Sequence, residues 1–263
     1  MQTQPALFRN ALLTWFLAVA ANAIAAPTLW VDDSAGLLGK VDVATGAVTV
    51  VGNTGHVMTD IAFDPNGHLY GITFGALYSI DPITAASTFI GSLGASLNSL
   101  VFSSNGTLYA ANSRLYEINL TTGAASAIGR GGVSYSSSGD LAFVGGNLYL
   151  SSTVPTSDSL IKLNASTGVG TDVGPIGVGQ VYGLATNDNV HLYGVAGTSV
   201  YSVNTATGAG TLLVGYGGHG LGSANGTAFF SEAAPPVPEP QTYALLLAGL
   251  VALGLRATRN RKQ

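Results

Sequence analysis

Residues 99–129 read SLVFSSNGTLYAANSRLYEINLTTGAASAIG, and residues 60–91 read DIAFDPNGHLYGITFGALYSIDPITAASTFIG. The two stretches follow one plan. Four short apolar runs are separated by turn chemistry. Asn-Gly follows the first run, a brief Gly- or Asn-containing link the second, and an Asp or Asn with Thr three residues on the third. Gly, Asn and Asp supply the positive φ angles and side-chain-to-backbone bonds of tight hairpins. The runs are short, rich in Val, Ile, Leu, Tyr and Phe, and often alternate apolar with polar. They read as strands.

The plan recurs. Leu69-Tyr70, Leu108-Tyr109, Leu148-Tyr149 and Leu192-Tyr193 are spaced by 39, 40 and 44 residues. Asp42-x-x-Thr45-Gly46, Asn119-x-x-Thr122-Gly123, Asn164-x-x-Thr167-Gly168 and Asn204-x-x-Thr207-Gly208 mark a hairpin in each unit, with Asp81-x-x-Thr84-Ala85 as a degenerate copy. The run after each hairpin ends in Gly52, Gly91, Gly129, Gly174 or Gly215. Asp60–Phe63, Ser99–Phe102, Asp140–Phe143, Gly183–Thr186 and Gly220–Ser223 open the successive units.

Four strands per unit of about 40 residues are the signature of a β-propeller blade. With strands lettered a to d from the axis outward, the repeats predict an all-β, five-bladed propeller over residues 26–232. A six-bladed ring with one incomplete blade is the alternative. The chain enters at strand b or c (Thr28–Val31) and ends with a and b (Gly220–Ser231), so one blade must be built from both ends. Leu29–Val31 and Ala228–Phe230 compete for its b strand. That choice stays open.

Composition narrows the function. The chain has 263 residues, no Cys and 8% charged residues, with 47% hydrophobic. So apolar a chain is not disordered. The missing Cys removes disulfides, thiolate catalysis and Cys-ligated metals. Residues 26–237 hold four basic groups (Lys40, Arg114, Arg130, Lys162) and twelve acidic ones, a net charge of 4 − 12 = −8. Such a surface excludes nucleic acid as a partner and disfavours acidic polymers. A neutral glycan or another surface protein fits better. No phosphate-binding loop or nucleophile elbow is present, and no cofactor is implied.

The two ends read as sorting devices. A short apolar run from Ala11 leads to Ala21-Asn-Ala23-Ile-Ala25-Ala26-Pro27. Small residues at alternate positions suit signal peptidase, which predicts a signal peptide over 1–25 cut after Ala25, or after Ala23. At the other end, a Pro-rich linker (233–240) contains Pro238-Glu239-Pro240. An apolar run follows (241–255), then a basic tail (256–263) with Arg256, Arg259, Arg261 and Lys262. From Tyr243 to Leu255 the run spans roughly 20 Å as a helix. That is less than the ~30 Å hydrocarbon core, but the basic cluster behind it is the mark of a stop-transfer segment.

This order of elements resembles the PEP-CTERM sorting signal, found on exported proteins of Gram-negative bacteria, often makers of exopolysaccharide. The resemblance covers residues 236–263. It implies recognition by an exosortase, a membrane transpeptidase-like enzyme that cuts near the Pro-Glu-Pro. The expected course is a membrane-anchored precursor, then release to the cell surface or extracellular matrix. It says nothing about what the propeller does.

For the propeller, the d–a loops should surround the channel mouth with His56, Asn98, Tyr135, Tyr182 and His219. Asp60 and Asp140 start their a strands two blades apart and should reach that mouth. Read as a pair, they offer the two carboxylates of a carbohydrate-active enzyme. Read plainly, an Asp that begins a strand bonds backbone N–H groups of the preceding loop. His56 and His219 become neighbours on ring closure. With Asp60 they make a weak candidate metal site. The plain reading, a non-enzymatic propeller that binds or scaffolds with no metal, is the one favoured. The third possibility is an unprocessed, membrane-anchored periplasmic protein.

Overall fold

The computed structural model describes residues 27–233, which form a five-bladed β-propeller. The first blade holds β1 (Thr28–Asp33), β2 (Leu37–Asp42) and β3 (Val48–Asn53). The second holds β4 (Asp60–Phe63), β5 (Leu69–Ile72), β6 (Ala76–Ile80) and β7 (Ser87–Ser92). The third holds β8 (Ser99–Phe102), β9 (Leu108–Ala111), β10 (Leu115–Ile118) and β11 (Ala125–Gly129). A two-residue β12 (Gly131–Gly132) then runs parallel to the edge of the fourth blade. That blade comprises β13 (Ser137–Val144), β14 (Asn147–Ser152), β15 (Ser159–Leu163) and β16 (Val169–Pro175). The fifth comprises β17 (Val181–Ala185), β18 (Leu192–Ala196), β19 (Ser199–Val203) and β20 (Gly210–Gly215). Last, β21 (Ala224–Phe229) adds to β1 as the innermost strand of the first blade and closes the ring.

Closure settles the competition between the two ends and corrects one register. β1 is strand b, with Leu29-Trp30 in the Leu-Tyr place. The a strand is β21, where Gly226-Thr-Ala-Phe229 stands in the place of Asp60-Ile-Ala-Phe63. Gly220–Ser223 is loop, not strand. The earlier Gly-Leu run resembled an a strand only by its first two residues, whereas Phe229 supplies the aromatic that ends three of the other four.

Burial falls outward. The a strands β4 and β8 are buried at every position, while β3 and β20 have no buried residue. Five core clusters form, one between each pair of neighbouring blades. An aromatic of strand b meets the Phe that ends strand a of the next blade. Trp30 meets Phe63 at 5.3 Å, Tyr70 meets Phe102 at 5.3 Å, Tyr109 meets Phe143 at 5.6 Å and Tyr193 meets Phe229 at 5.2 Å. Tilted and edge-on pairs at these separations add to the burial itself. Tyr149 has Thr186 in the corresponding place and makes no such pair.

The hairpin signature has two jobs. Its Asp or Asn accepts the N–H groups two and three residues on, as Asn119 does from Thr121 at 2.9 Å and Thr122 at 3.0 Å. Its Thr-Gly then abuts the Gly that ends the d strand of the preceding blade. A Cβ on Gly123 would lie 2.6 Å from the Gly91 carbonyl carbon.

The expected signal peptide, apolar run and basic tail lie outside the described residues, as does the linker except for the buried Ala233. Among the described residues no helix is long and apolar enough to cross a membrane.

Candidate functional site

The first inward-facing position of each a strand forms a ring about the axis: Asp60, Ser99, Asp140, Gly183 and Gly226. Asp60 and Asp140 do not reach the mouth; both are fully buried. Asp60 Oδ1 accepts from its own neighbour Ile61 N at 2.7 Å, and Oδ2 from Leu100 N of the next blade at 2.5 Å. Asp140 repeats the pattern. Its Oδ1 accepts from Leu141 N at 2.6 Å, and its Oδ2 from Leu184 N of the next blade at 2.6 Å and from Thr227 Oγ1 at 3.1 Å. The plain reading places these bonds in the preceding loop; in the structure each carboxyl instead takes one N–H from the residue after it and one from the next blade. Each carboxyl ties its blade to the next.

A third carboxyl completes the hub. Asp32 of β1 pairs with Gly226 across the sheet and is 1% exposed. A Cβ on Gly226 would run into Oδ1 of both Asp60 and Asp32, so the ring can bring these groups together only around a glycine. Neither oxygen of Asp32 has a hydrogen-bond partner. Burial pushes the Asp32 carboxyl well above its usual range, and Asp140 and Asp33 push it further. Burial does the same to Asp60, reinforced by Asp140, and to Asp140, where the hydrogen bonds to Asp60 and the backbone only partly oppose it. Asp32 escaped the sequence reading because it sits on strand b, where no repeat carries an acid. Its only signal is the Asp32-Asp33 pair ending an otherwise apolar strand.

Above this hub lies the mouth, a cavity of 440 Å³. Thr59, Asn98, Gly139, Tyr182 and Asn225 form its floor, each one residue before a ring position. Val57, Phe74 and Ser138 form the rim. Every lining residue is uncharged. Phe74 is 60% and Val57 51% exposed, which leaves an apolar edge beside polar amides. Asn98 donates its amide to Ser137 O at 3.2 Å and Asn225 donates to Met58 O at 3.0 Å. These bonds orient the side chains.

Of the expected loop residues, Asn98 and Tyr182 line the mouth. Tyr135 does not: it is buried and donates its hydroxyl to Gly168 O at 2.8 Å, tying the loop that enters blade four to the c–d hairpin of that blade. His56 is exposed and stacks on Tyr78 at 4.5 Å, and His219 is exposed in the loop before β21. Among the described residues no three His, Cys, Asp or Glu side chains are grouped to hold a metal ion. Asp60, buried in the hub, does not join the two histidines. A larger groove of 610 Å³ lies on blade four between its a–b and c–d turns, away from the axis. It is lined largely by the hairpin that the repeat builds in every blade, with Lys162 beside it.

The chain exits opposite the mouth. β21 runs from Asn225 at the mouth to Phe229 at the far face, and Ala233 packs there beside Ala62, Leu100 and Phe102.

No curated protein is similar in sequence at a significant level. Solved structures of similar shape include a symmetrical protein of de novo evolutionary emergence, with 21% identity, TM-score 0.49, and coverage of 74% of this chain and 96% of that one. A gluconolactonase from Xanthomonas campestris is similar at 14% identity, TM-score 0.49, with 76% and 79% coverage. The informative match is outside the ring: residues 236–262 fit the PEP-CTERM protein-sorting motif, the address of an exported protein sorted through an exosortase.

Proposed function

We propose that this chain is an exosortase-processed surface or extracellular-matrix protein. Its propeller is a non-enzymatic module that binds a neutral glycan at the mouth. The observation that carries this reading is the separation of charge from access. The mouth is open and wholly uncharged, whereas the carboxyls that hydrolysis would need are sealed beneath it. A sugar ring has an apolar face and hydroxyl edges. Phe74 and Val57 offer a surface to the first, and the amide oxygens of Asn98 and Asn225 accept from the second. The chain leaves from the opposite face, so tethering or transfer at the tail keeps the mouth clear.

The competing reading, a carbohydrate-active enzyme using Asp60 and Asp140, requires both carboxyls to meet substrate. Both are fully buried, and both are committed to backbone donors.

The test uses the mature protein recovered from its own cells. Intact mass should end near Pro238–Pro240; a mass running to Gln263 would overturn the processing. Binding to neutral and acidic polysaccharides is then compared. Neutral glycans should bind, and Tyr182→Ala and Phe74→Ala should each weaken binding about tenfold with unchanged melting. Turnover of any glycan that disappears in Asp140→Asn would make the protein an enzyme and end the proposal.

A further inference from the structure

We infer that Asp32, Asp60 and Asp140 hold a proton between them at neutral pH, and that its release at higher pH loosens the mouth built on them. The second half rests on the ligand-binding role proposed for the mouth. The first half stands on the hub alone.

The donors and acceptors do not balance without that proton. Asp60 and Asp140 together accept four backbone N–H groups and the Thr227 hydroxyl. Such donors favour carboxylates. Yet Asp60 and Asp32 converge on one spot, their Oδ1 atoms 2.3 and 2.9 Å from where a Cβ on Gly226 would stand, in a site that water does not reach. Two carboxylates cannot bond to each other, because each only accepts. A proton between them supplies the missing donor. Asp32 has no other donor for either oxygen.

Nothing else neutralises the site. Among the described residues no Lys or Arg forms an ion pair, and Lys40 lies instead over the Trp30 ring at 4.3 Å. The strands on either side of Asp32 present Leu38 and Gly226. Asp33, its chain neighbour, is occupied by the N–H groups of Ala35, Leu37 and Gly222. Beyond the end of β21, the Glu232 carboxyl is raised by burial and then by the charge of Asp140. Tyr216, buried and donating its hydroxyl to Gly197 O at 3.1 Å, is raised by burial and by Asp33 and Asp32, so the titratable groups around the hub are all acids.

The coupling to the mouth follows from the chain. Thr59 and Gly139 are bonded directly to Asp60 and Asp140, and Asn225 to the glycine on which Asp32 and Asp60 converge. Charge repulsion in the hub would separate β4, β13 and β21; β13 and β21 carry the floor residues Gly139 and Asn225, and Thr59 directly precedes β4. A mouth with no titratable group of its own facing the ligand except Tyr182 would thus respond to pH.

The folded state keeps its proton over a range in which the unfolded chain, with carboxyls near 3.8, has lost it. Stability from this source is complete below that value and falls as pH rises through the raised folded value. Unfolding of the full-length protein would be followed by urea titration from pH 5 to 9, with proton release on unfolding measured at pH 7 in buffers of different ionisation enthalpy. The expected result is release of about one proton, and an unfolding constant that rises about tenfold per pH unit where release is complete. Asp32→Asn, whose amide brings N–H donors to the hub, should flatten that slope; Asp172→Asn on the exposed edge should not. Absence of proton release, or the same slope in Asp32→Asn, would overturn the inference. So would restoration of stability at pH 8 by millimolar Ca²⁺ alone, which would make the neutralising group a cation. If the hub titrates but no glycan binds at any pH, the ligand reading fails and the proton stands.

Discussion

Aspartate does opposite things at the axis and at the edge of this molecule. Asp42 and Asp81 sit in c–d hairpins, exposed to water. Asp42 accepts from Ala44 N and Thr45 N at 2.9 Å each, and Asp81 from Ile83 N at 2.7 Å and Thr84 N at 3.2 Å. Those donors hold their carboxyls below the usual value. Asp60 and Asp140 accept the same kind of donors at similar or shorter distances, yet burial drives them the other way. The hydrogen bonds are alike, so water makes the difference. Where solvent shares the charge, two N–H groups suffice to favour the anion. Where it does not, they fall short, and the fold must bring a proton as well.

The largest effect expected from breaking this contrast is at Asp140. Asp140→Ala strands Leu141 N, Leu184 N and the Thr227 hydroxyl inside the ring. Buried donors left unpaired cost 1–3 kcal/mol each, and relief of the acidic cluster offsets part of that, so a net loss of about 3 kcal/mol is expected. The loss should be greater at pH 5 than at pH 9, because relief grows as the hub ionises. Equal losses at both pH values in urea titrations would show that the hub carries no titrating charge.

Next in size is the contact that joins blades at their outer edge. Gly123 has φ 76° and faces the Gly91 backbone. Gly123→Ala adds the left-handed penalty of roughly 1–2 kcal/mol to a clash with rigid backbone, for a loss of at least about 2 kcal/mol. A melting temperature within 2 °C of the parent would mean that the blades can separate there without cost, which the packing denies.

These two sites also show what a sequence exposes and what it hides. The blade count was legible because each blade repeats the same turn chemistry, and turns constrain local residues. The b-strand Tyr residues were marked by the same recurrence, and three of them pack against a Phe of the next blade. The hub was only half legible. Asp60 and Asp140 stand at matching repeat positions, but their depth depends on how far the ring closes, and no local pattern encodes that. Asp32 was invisible because it belongs to a different strand and meets the others only across Gly226. The closing strand was misplaced by a few residues because Gly220-Leu-Gly imitates Gly183-Leu-Ala, and only pairing with β1 distinguishes the imitation. The mouth's Phe74 and Val57 come from a link and a loop with no repeat counterpart of the same type, so nothing marked them in advance.

The edge aspartates contribute to the acid limb of stability, as Asp64 and Asp188 do. Their folded carboxyls lie below the usual 3.8, so what they contribute is present above that value and is lost as pH falls through the lowered one. The hub contributes in the reverse sense and in a separate range. Asp42→Asn and Asp81→Asn should therefore shift only the acid limb of a pH–stability curve, leaving the slope above pH 5 intact. A change above pH 5 in either variant would mean that edge and axis are electrostatically connected.

The smallest effect is at the one hairpin that breaks the repeat. Ala85 occupies the place of Gly123 and takes the same left-handed conformation, with φ 64°. Changing Ala85→Gly should relieve roughly 1–2 kcal/mol of backbone strain. Against that, glycine costs about 0.5–1 kcal/mol in unfolded-chain entropy. The methyl is also fully buried in the cluster between the first two blades, beside Met58 and Ile61, and its removal costs about 0.8 kcal/mol more. The terms cancel to within about 0.5 kcal/mol, so the variant should melt with the parent. The equivalent methyl is forbidden at Gly123, where Gly91 backbone fills the space, but is packed at Ala85, where an added Cβ on Gly52 would still lie 3.2 Å away. A gain above about 1 kcal/mol would show that the Ala85 methyl contributes nothing and that the first inter-blade seam is as tight as the second; a clear loss would show the methyl to be the better half of the exchange.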